Sequence, residues 1–281
     1  MAGDGVSRRR LLQICVASAA SSLLAACGAG PAASASPVAA TAAVTSAAPT
    51  ATLVRTSSPQ PTPTVSLLRS CAVAVDDPAR PLLVDAHAHL DGQTTSGTDY
   101  PGAAETALGT FAAPGVRTGI LMPMPFNTTE RTFDVAELAP VVARCKQRLA
   151  LGAGGGSLQP VIATTAAAAV SAAVRRSFED TAAEIVKAGA VVFGEMAAHH
   201  LSFNVNHPYE SIAADHPLFL LLGETAARSR IPIDLHLDAI ARDVPTPPPF
   251  RQLSPNNPPQ LRENIAAFER LLDHAKDATV V

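Results

Sequence analysis

The sequence predicts an α/β domain, strands alternating with helices, confined to the last 201 of 281 residues. Three observations predict it. Short apolar runs at 82–84, 116–122, 190–196 and 231–237 have strand length, and helix-like stretches at 135–149, 164–188 and 215–229 stand between them, with a further helix at 263–274. Three of these strands end in metal-binding or acid–base side chains: His87 and His89 after the first, Glu195 and His236 on two later ones. Everything before residue 81 is rich in Ala, Ser, Thr and Pro, and residues 28–80 need not form a core.

In chain order, residues 1–27 read as an export leader. Arg8, Arg9 and Arg10 precede an apolar stretch, 11–26, of signal-peptide rather than membrane-spanning length. Leu24, Ala25, Ala26 and Cys27 resemble a lipobox, in which Cys27 is lipidated and becomes the first mature residue, and the arginines fit a twin-arginine signal or an ordinary secretory one. The expected location is therefore exported and lipid-anchored to a membrane, with residues 28–80 as a tether. Without residues 1–27 the chain has 18 basic and 23 acidic residues, a mildly acidic balance that argues against a nucleic-acid partner. Cys71 and Cys145 are free to pair in an oxidising compartment, although Cys145, placed in a helix, reads as a small buried hydrophobe.

Residues 81–91, PLLVDAHAHLD, form the first strand and its end. Side chains two apart leave a strand on one face, so His87 and His89 can bind one ion together. Residues 91–114 read as a long loop with a short helix near 104–108, and 116–122 as the second strand. A helix spans 135–149, with Asp134 in its first turn, basic residues near its end and Pro140 inside. The third strand belongs within 151–162, where three glycines weaken it and suggest a loop passing close to another part of the chain. A long helix at 164–188 stops at Gly189, and the fourth strand, 190–196, ends at Glu195.

His199, His200 and His207 then fall in a loop over the mouth, touching substrate or idle at the surface. Asp215 is placed as the N-cap of the next helix, with His216 at the surface. In the fifth strand, 231–237, alternation puts Asp234 and His236 on one face, and Asp238 follows two residues on. The proline-rich stretch 241–260 excludes helix and central strand. A helix at 263–274 and the start of a sixth strand at 277–281 complete the chain.

VDAHAHLD, together with VVFGEMA and PIDLHLD, resembles the amidohydrolase superfamily, in its amidohydrolase-related, metal-dependent hydrolase branch. The resemblance implies a (β/α)8 barrel of TIM type, present here as about five to six β/α units, and a divalent metal, zinc foremost, held by His87, His89 and His236. Glu195 is then open to bridging two ions, orienting a ligand histidine, contacting substrate or accepting bonds from the glycine-rich loops, and Asp238 to meeting substrate or a histidine. It implies hydrolysis of an amide, lactone or related small carbonyl compound, with decarboxylation as a variant. The family's later histidine and metal-binding aspartate fall beyond Val281, so the same resemblance also raises a truncated, inactive product or a non-enzymatic surface lipoprotein.

Overall fold

Five parallel strands laid down in chain order carry the domain: β1 (Leu83–Ala88), β2 (Val116–Leu121), β3 (Leu149–Gly154), β4 (Val192–His200) and β5 (Ile233–Leu237). Each pairs in parallel with the next. Val280 forms an isolated parallel bridge with Ile233 on the free edge of β5. The computed structural model describes residues 67–72, 83–95, 97–112, 115–129 and 133–281. The leader, Cys27 and most of the tether lie outside the described residues. Among those described, no helix is long and apolar enough to cross a membrane.

The helices are α1 (Tyr100–Ala112), α2 (Val135–Ala143), α3 (Gln159–Thr164), α4 (Ala172–Lys187), α5 (Pro217–Ser229), α6 (Pro248–Leu253) and α7 (Ile265–His274). With helices between parallel strands in sequence order, this is the incomplete (β/α)8 architecture expected. Curvature completes the likeness. In a flat sheet, four strand spacings of about 4.8 Å would hold β1 and β5 roughly 19 Å apart. Yet His87 on β1 and Asp234 on β5 lie 3.0 Å apart, so the sheet curls until its first and fifth strands face each other.

Local chemistry explains where the elements differ from expectation. The helix expected at 104–108 runs for 13 residues, because the Asp99 carboxylate accepts the Gly102 N–H at 2.8 Å and caps the first turn; Ala104, Leu108 and Phe111 form its buried face. The helix expected to reach 149 stops at Ala143. Arg148 turns inward and donates to the carbonyls of Arg117 at 2.7 Å and Val116 at 3.1 Å, and Leu149 already belongs to β3. The stretch 164–188 is interrupted, and α4 starts only after Ser171, whose hydroxyl accepts the Val174 N–H. Gly189, at φ +86°, ends it as expected. The proline-rich stretch does hold a short helix, α6, since prolines in a first turn need no N–H.

The glycine run does pass close to its neighbours. A Cβ on Gly155 would sit 2.7 Å from the Glu195 carbonyl oxygen and 2.8 Å from that of Met124. His216 is buried rather than at the surface, and it, not Asp215, caps α5: its Nδ1 accepts the Leu218 N–H while Nε2 donates to the Thr165 carbonyl. Cys145 lies in the turn after α2 and is disulfide-bonded to Cys71. Residues 67–72, counted above with the tether, pack on the domain through Leu68 and this bond.

Candidate metal centre

The C-terminal ends of β1, β4 and β5 bring five of the expected residues into one cluster. His87 and His89 leave β1 on the same side, their Nε2 atoms 3.0 Å apart. Glu195, buried on β4, places Oε2 3.0 Å from His89 Nε2 and 3.6 Å from His87 Nε2. Its other oxygen lies 2.9 Å from His236 Nδ1. The structure thus sets the β1 pair on one side of Glu195 and His236 on the other. Two groups of donor atoms result, His87 with His89 and Glu195, and Glu195 with His200 and His236.

The tautomers follow from the partners. His89 Nδ1 faces the Met122 carbonyl at 2.9 Å, and His87 Nδ1 faces both oxygens of Asp234 at 3.0 and 3.1 Å. Carbonyls and carboxylates only accept, so each Nδ1 is the donor and each neutral ring keeps its lone pair on Nε2. Two lone pairs and a carboxylate oxygen therefore face one another across 3.0 to 3.6 Å. Either a proton on one Nε2, donated to the Glu195 oxygen, or a metal cation reconciles them. Zinc–nitrogen bonds of about 2.0–2.1 Å in tetrahedral geometry require donor atoms about 3.4 Å apart, and the triangle has that size. The residues present fit a divalent ion.

The second group is a poorer chelate. The His200 and His236 rings stack with centroids 3.9 Å apart and 29° between their planes. An imidazole offers its lone pair in the ring plane, and stacked rings aim those pairs side by side. His200 Nδ1 donates to the Leu201 carbonyl at 2.8 Å, and burial draws its pKa down to about 4, so it stays neutral as a plate behind His236.

Electrostatics tie the cluster together. Burial works to raise the Glu195 carboxyl, but its contacts to His236 and His89 outweigh it and hold it well below the usual carboxylate range. Burial works to lower His236, but the Asp238 and Glu195 carboxylates beside it prevail and lift it to about 9. Asp238 is held low in turn, burial being outweighed by His199, His236 and the Leu201 N–H, the last at 2.8 Å. His199 Nε2 meets the Tyr209 hydroxyl at 3.0 Å. A cavity of about 420 Å³ opens beside β1, lined by Asp85, His87, His89, Asp91, Thr106 and Phe111 among others.

The sequence misplaced two participants and assigned no role to two others. His199 and His200 are buried on β4, which runs to residue 200 rather than ending at 196; the two-residue strand Glu210–Ser211 pairs with that extension. Glu210, buried opposite His200, carried no motif. Asp234 was legible only as a neighbour of His236 on one strand face.

No protein-family model matches the chain, and no curated protein does. Among solved structures it is similar to 2,6-dihydroxybenzoate decarboxylase from Rhizobium, with a TM-score of 0.41 and 15% identity over 72% of this chain and 65% of that one. It is also similar to a candidate amidohydrolase from Staphylococcus aureus, with a TM-score of 0.39 and 13% identity over 71% and 66%. A 2,6-dihydroxybenzoate decarboxylase complexed with 2,6-dihydroxybenzoate gives 0.39 and 15% over 71% and 64%. The chain thus spans just under two thirds of the length of these structures. Likeness this distant transfers no activity.

Proposed function

We propose that this chain is a metal-dependent hydrolase of the amidohydrolase type, acting on an amide, lactone or related small carbonyl compound. Its divalent ion, zinc by the nature of the donors, is held by His87, His89 and Glu195. The observation that supports this reading is the triangle of His87 Nε2, His89 Nε2 and Glu195 Oε2, whose sides of 3.0 to 3.6 Å match the spacing of donors around a tetrahedral zinc ion. When bound, the ion supplies Lewis acidity and a water of lowered pKa.

The chain's own side chains do the rest. Glu195 holds one oxygen toward the β1 pair and the other against His236. His236 stands between two carboxylates, and its Nε2 lies 3.8 Å from Asp238 Oδ1, too far for a good hydrogen bond. A substrate oxygen entering that gap would be the nearer acceptor, which suits His236 to polarising a carbonyl or protonating a leaving group. Asp238, fixed by the Leu201 N–H, stays ionised opposite it.

The test is metal content after purification together with turnover of a panel of lactones and amides, with an aromatic carboxylic acid included to register decarboxylation. We expect one zinc per chain, its loss in His87→Ala and His89→Ala, and hydrolysis of at least one panel compound. A wild-type chain that takes up no divalent metal sinks the proposal; one that binds zinc and turns over nothing is a binding protein. Cys27 as a lipidated N-terminus belongs to the same reading, and its test is membrane fractionation of wild type against Cys27→Ala. Release of the variant into the soluble fraction is expected, and co-fractionation of the two with the membrane would overturn it.

A further inference from the structure

We infer that Asp234 is a positioning residue for the candidate metal centre: reaching from the fifth strand, it holds His87 on the first in the tautomer and orientation in which Nε2 presents its lone pair to the ion. The inference rests on the metal reading above and extends it to a residue outside the proposed ligand set.

The geometry has three parts. Both Asp234 oxygens approach the same ring nitrogen, Nδ1 of His87, at 3.1 and 3.0 Å, so the carboxylate addresses the side of the ring opposite Nε2. The contact spans 147 residues of sequence and joins strands that are not neighbours in the sheet. Room for it is built into β4: a Cβ on Gly194 would lie 2.8 Å from the Cβ of Asp234. The strand that supplies Glu195 is thus thinned at the preceding residue, where the Asp234 side chain crosses.

The physical consequence separates the two β1 histidines. His89 is oriented by a backbone carbonyl, Met122, a neutral acceptor fixed by the fold. His87 is oriented by an ionised side chain, which makes its imidazole the more electron-rich ligand. A carboxylate behind a metal-bound histidine fixes ring and tautomer together, and losing such a partner costs roughly 10- to 100-fold in metal affinity. Asp234 is also the side chain through which the curled sheet grips His87, so ligand geometry and sheet closure share one contact.

Zinc affinity of the full chain, measured by competition with a chromophoric chelator, tests this for wild type, Asp234→Asn and His89→Ala, beside ¹⁵N imidazole spectra of the metal-free wild type and Asp234→Asn at a pH above the histidine range. We expect Asp234→Asn to bind zinc roughly 10- to 100-fold more weakly. We also expect wild-type His87 to be the Nδ1–H tautomer and to become a mixture in the variant, while His89 keeps its Nδ1–H signature in both. Unchanged zinc affinity in Asp234→Asn, or a wild-type His87 protonated on Nε2, would overturn the assignment. Failure of wild type to bind zinc would count against the metal reading instead, and the wild-type tautomer, which needs no variant and no metal, still decides for or against Asp234.

Discussion

Glu210 shows what a single buried carboxyl does to the behaviour of the whole chain. It is 5% exposed and one of its oxygens has no hydrogen-bond partner. Burial, with a further push from Glu195, raises its pKa to about 7. Between the ordinary value of 4.5 and about 7 the folded state therefore binds a proton that the unfolded state has released. The stability that this protonation contributes is complete below pH 4.5 and is lost as pH rises through about 7. A shift of that size corresponds to about 3 kcal/mol. Glu210→Gln, which keeps the shape without the charge, should be more stable than wild type above neutrality by a few kcal/mol and should flatten the pH dependence; urea unfolding in the presence of a chelator, repeated across pH, measures it. His87 and His89 belong to the same scale and were visible in advance, because a pair two residues apart at the end of an apolar run needs only local geometry to share a face. Glu210 was not, because it carries no motif and its burial against β4 is decided by packing.

Elements position these residues through close backbone approach. The loop after β3 lies so near β4 that a side-chain carbon on Gly155 would press on three carbonyl oxygens, including that of Glu195, at 2.7 to 2.9 Å. Backbone cannot yield as a side chain can. Gly155→Ala should therefore cost about 1–3 kcal/mol and displace the carboxylate that joins the two halves of the centre, so zinc affinity should fall as well. Gly189→Ala is the control. It needs an unusual backbone conformation, φ +86°, but a Cβ there has nothing within 4 Å. It should cost about 1 kcal/mol and leave zinc affinity unchanged. Denaturant unfolding and chelator competition on the two variants separate these outcomes. The glycine run announced a close approach in the sequence, though not which strand was approached. Helix ends were less legible: α2 is cut short by a buried arginine, and α1 is extended by an aspartate cap whose importance emerges only when the following residues are seen to pack.

Across the molecule, two long-range ties hold the curled sheet and its approach. One is the contact of His87 with Asp234. The other is the disulfide between Cys71 and Cys145, both buried, which closes a span of 74 residues around β1, α1, β2 and α2. Chain entropy for a loop of that length corresponds to about 4 kcal/mol of stability. Cys71→Ser, or reduction of the wild type, should remove most of it, seen as a lower urea midpoint that is insensitive to added reductant in the variant alone. The proposed zinc would act at the same scale. If the centre binds it only in the folded state, zinc at a hundred times its dissociation constant adds about 2.7 kcal/mol, and a rise in Tm that a chelator reverses is the expected signature.

The sequence by itself determined the alternation of strand and helix, the common face of His87 and His89, and the placement of His236 and Asp238 at or near a strand end. All of these follow from periodicity and spacing within short segments. Only the tertiary structure decided that Glu195 stands between the β1 pair and His236, that β4 extends far enough to bury His199 and His200, that Cys71 and Cys145 are bonded, and that Asp234 grips His87. Each depends on how far the sheet curls, and curvature is set by packing among strands and helices far apart in the chain, which no local pattern of residues encodes.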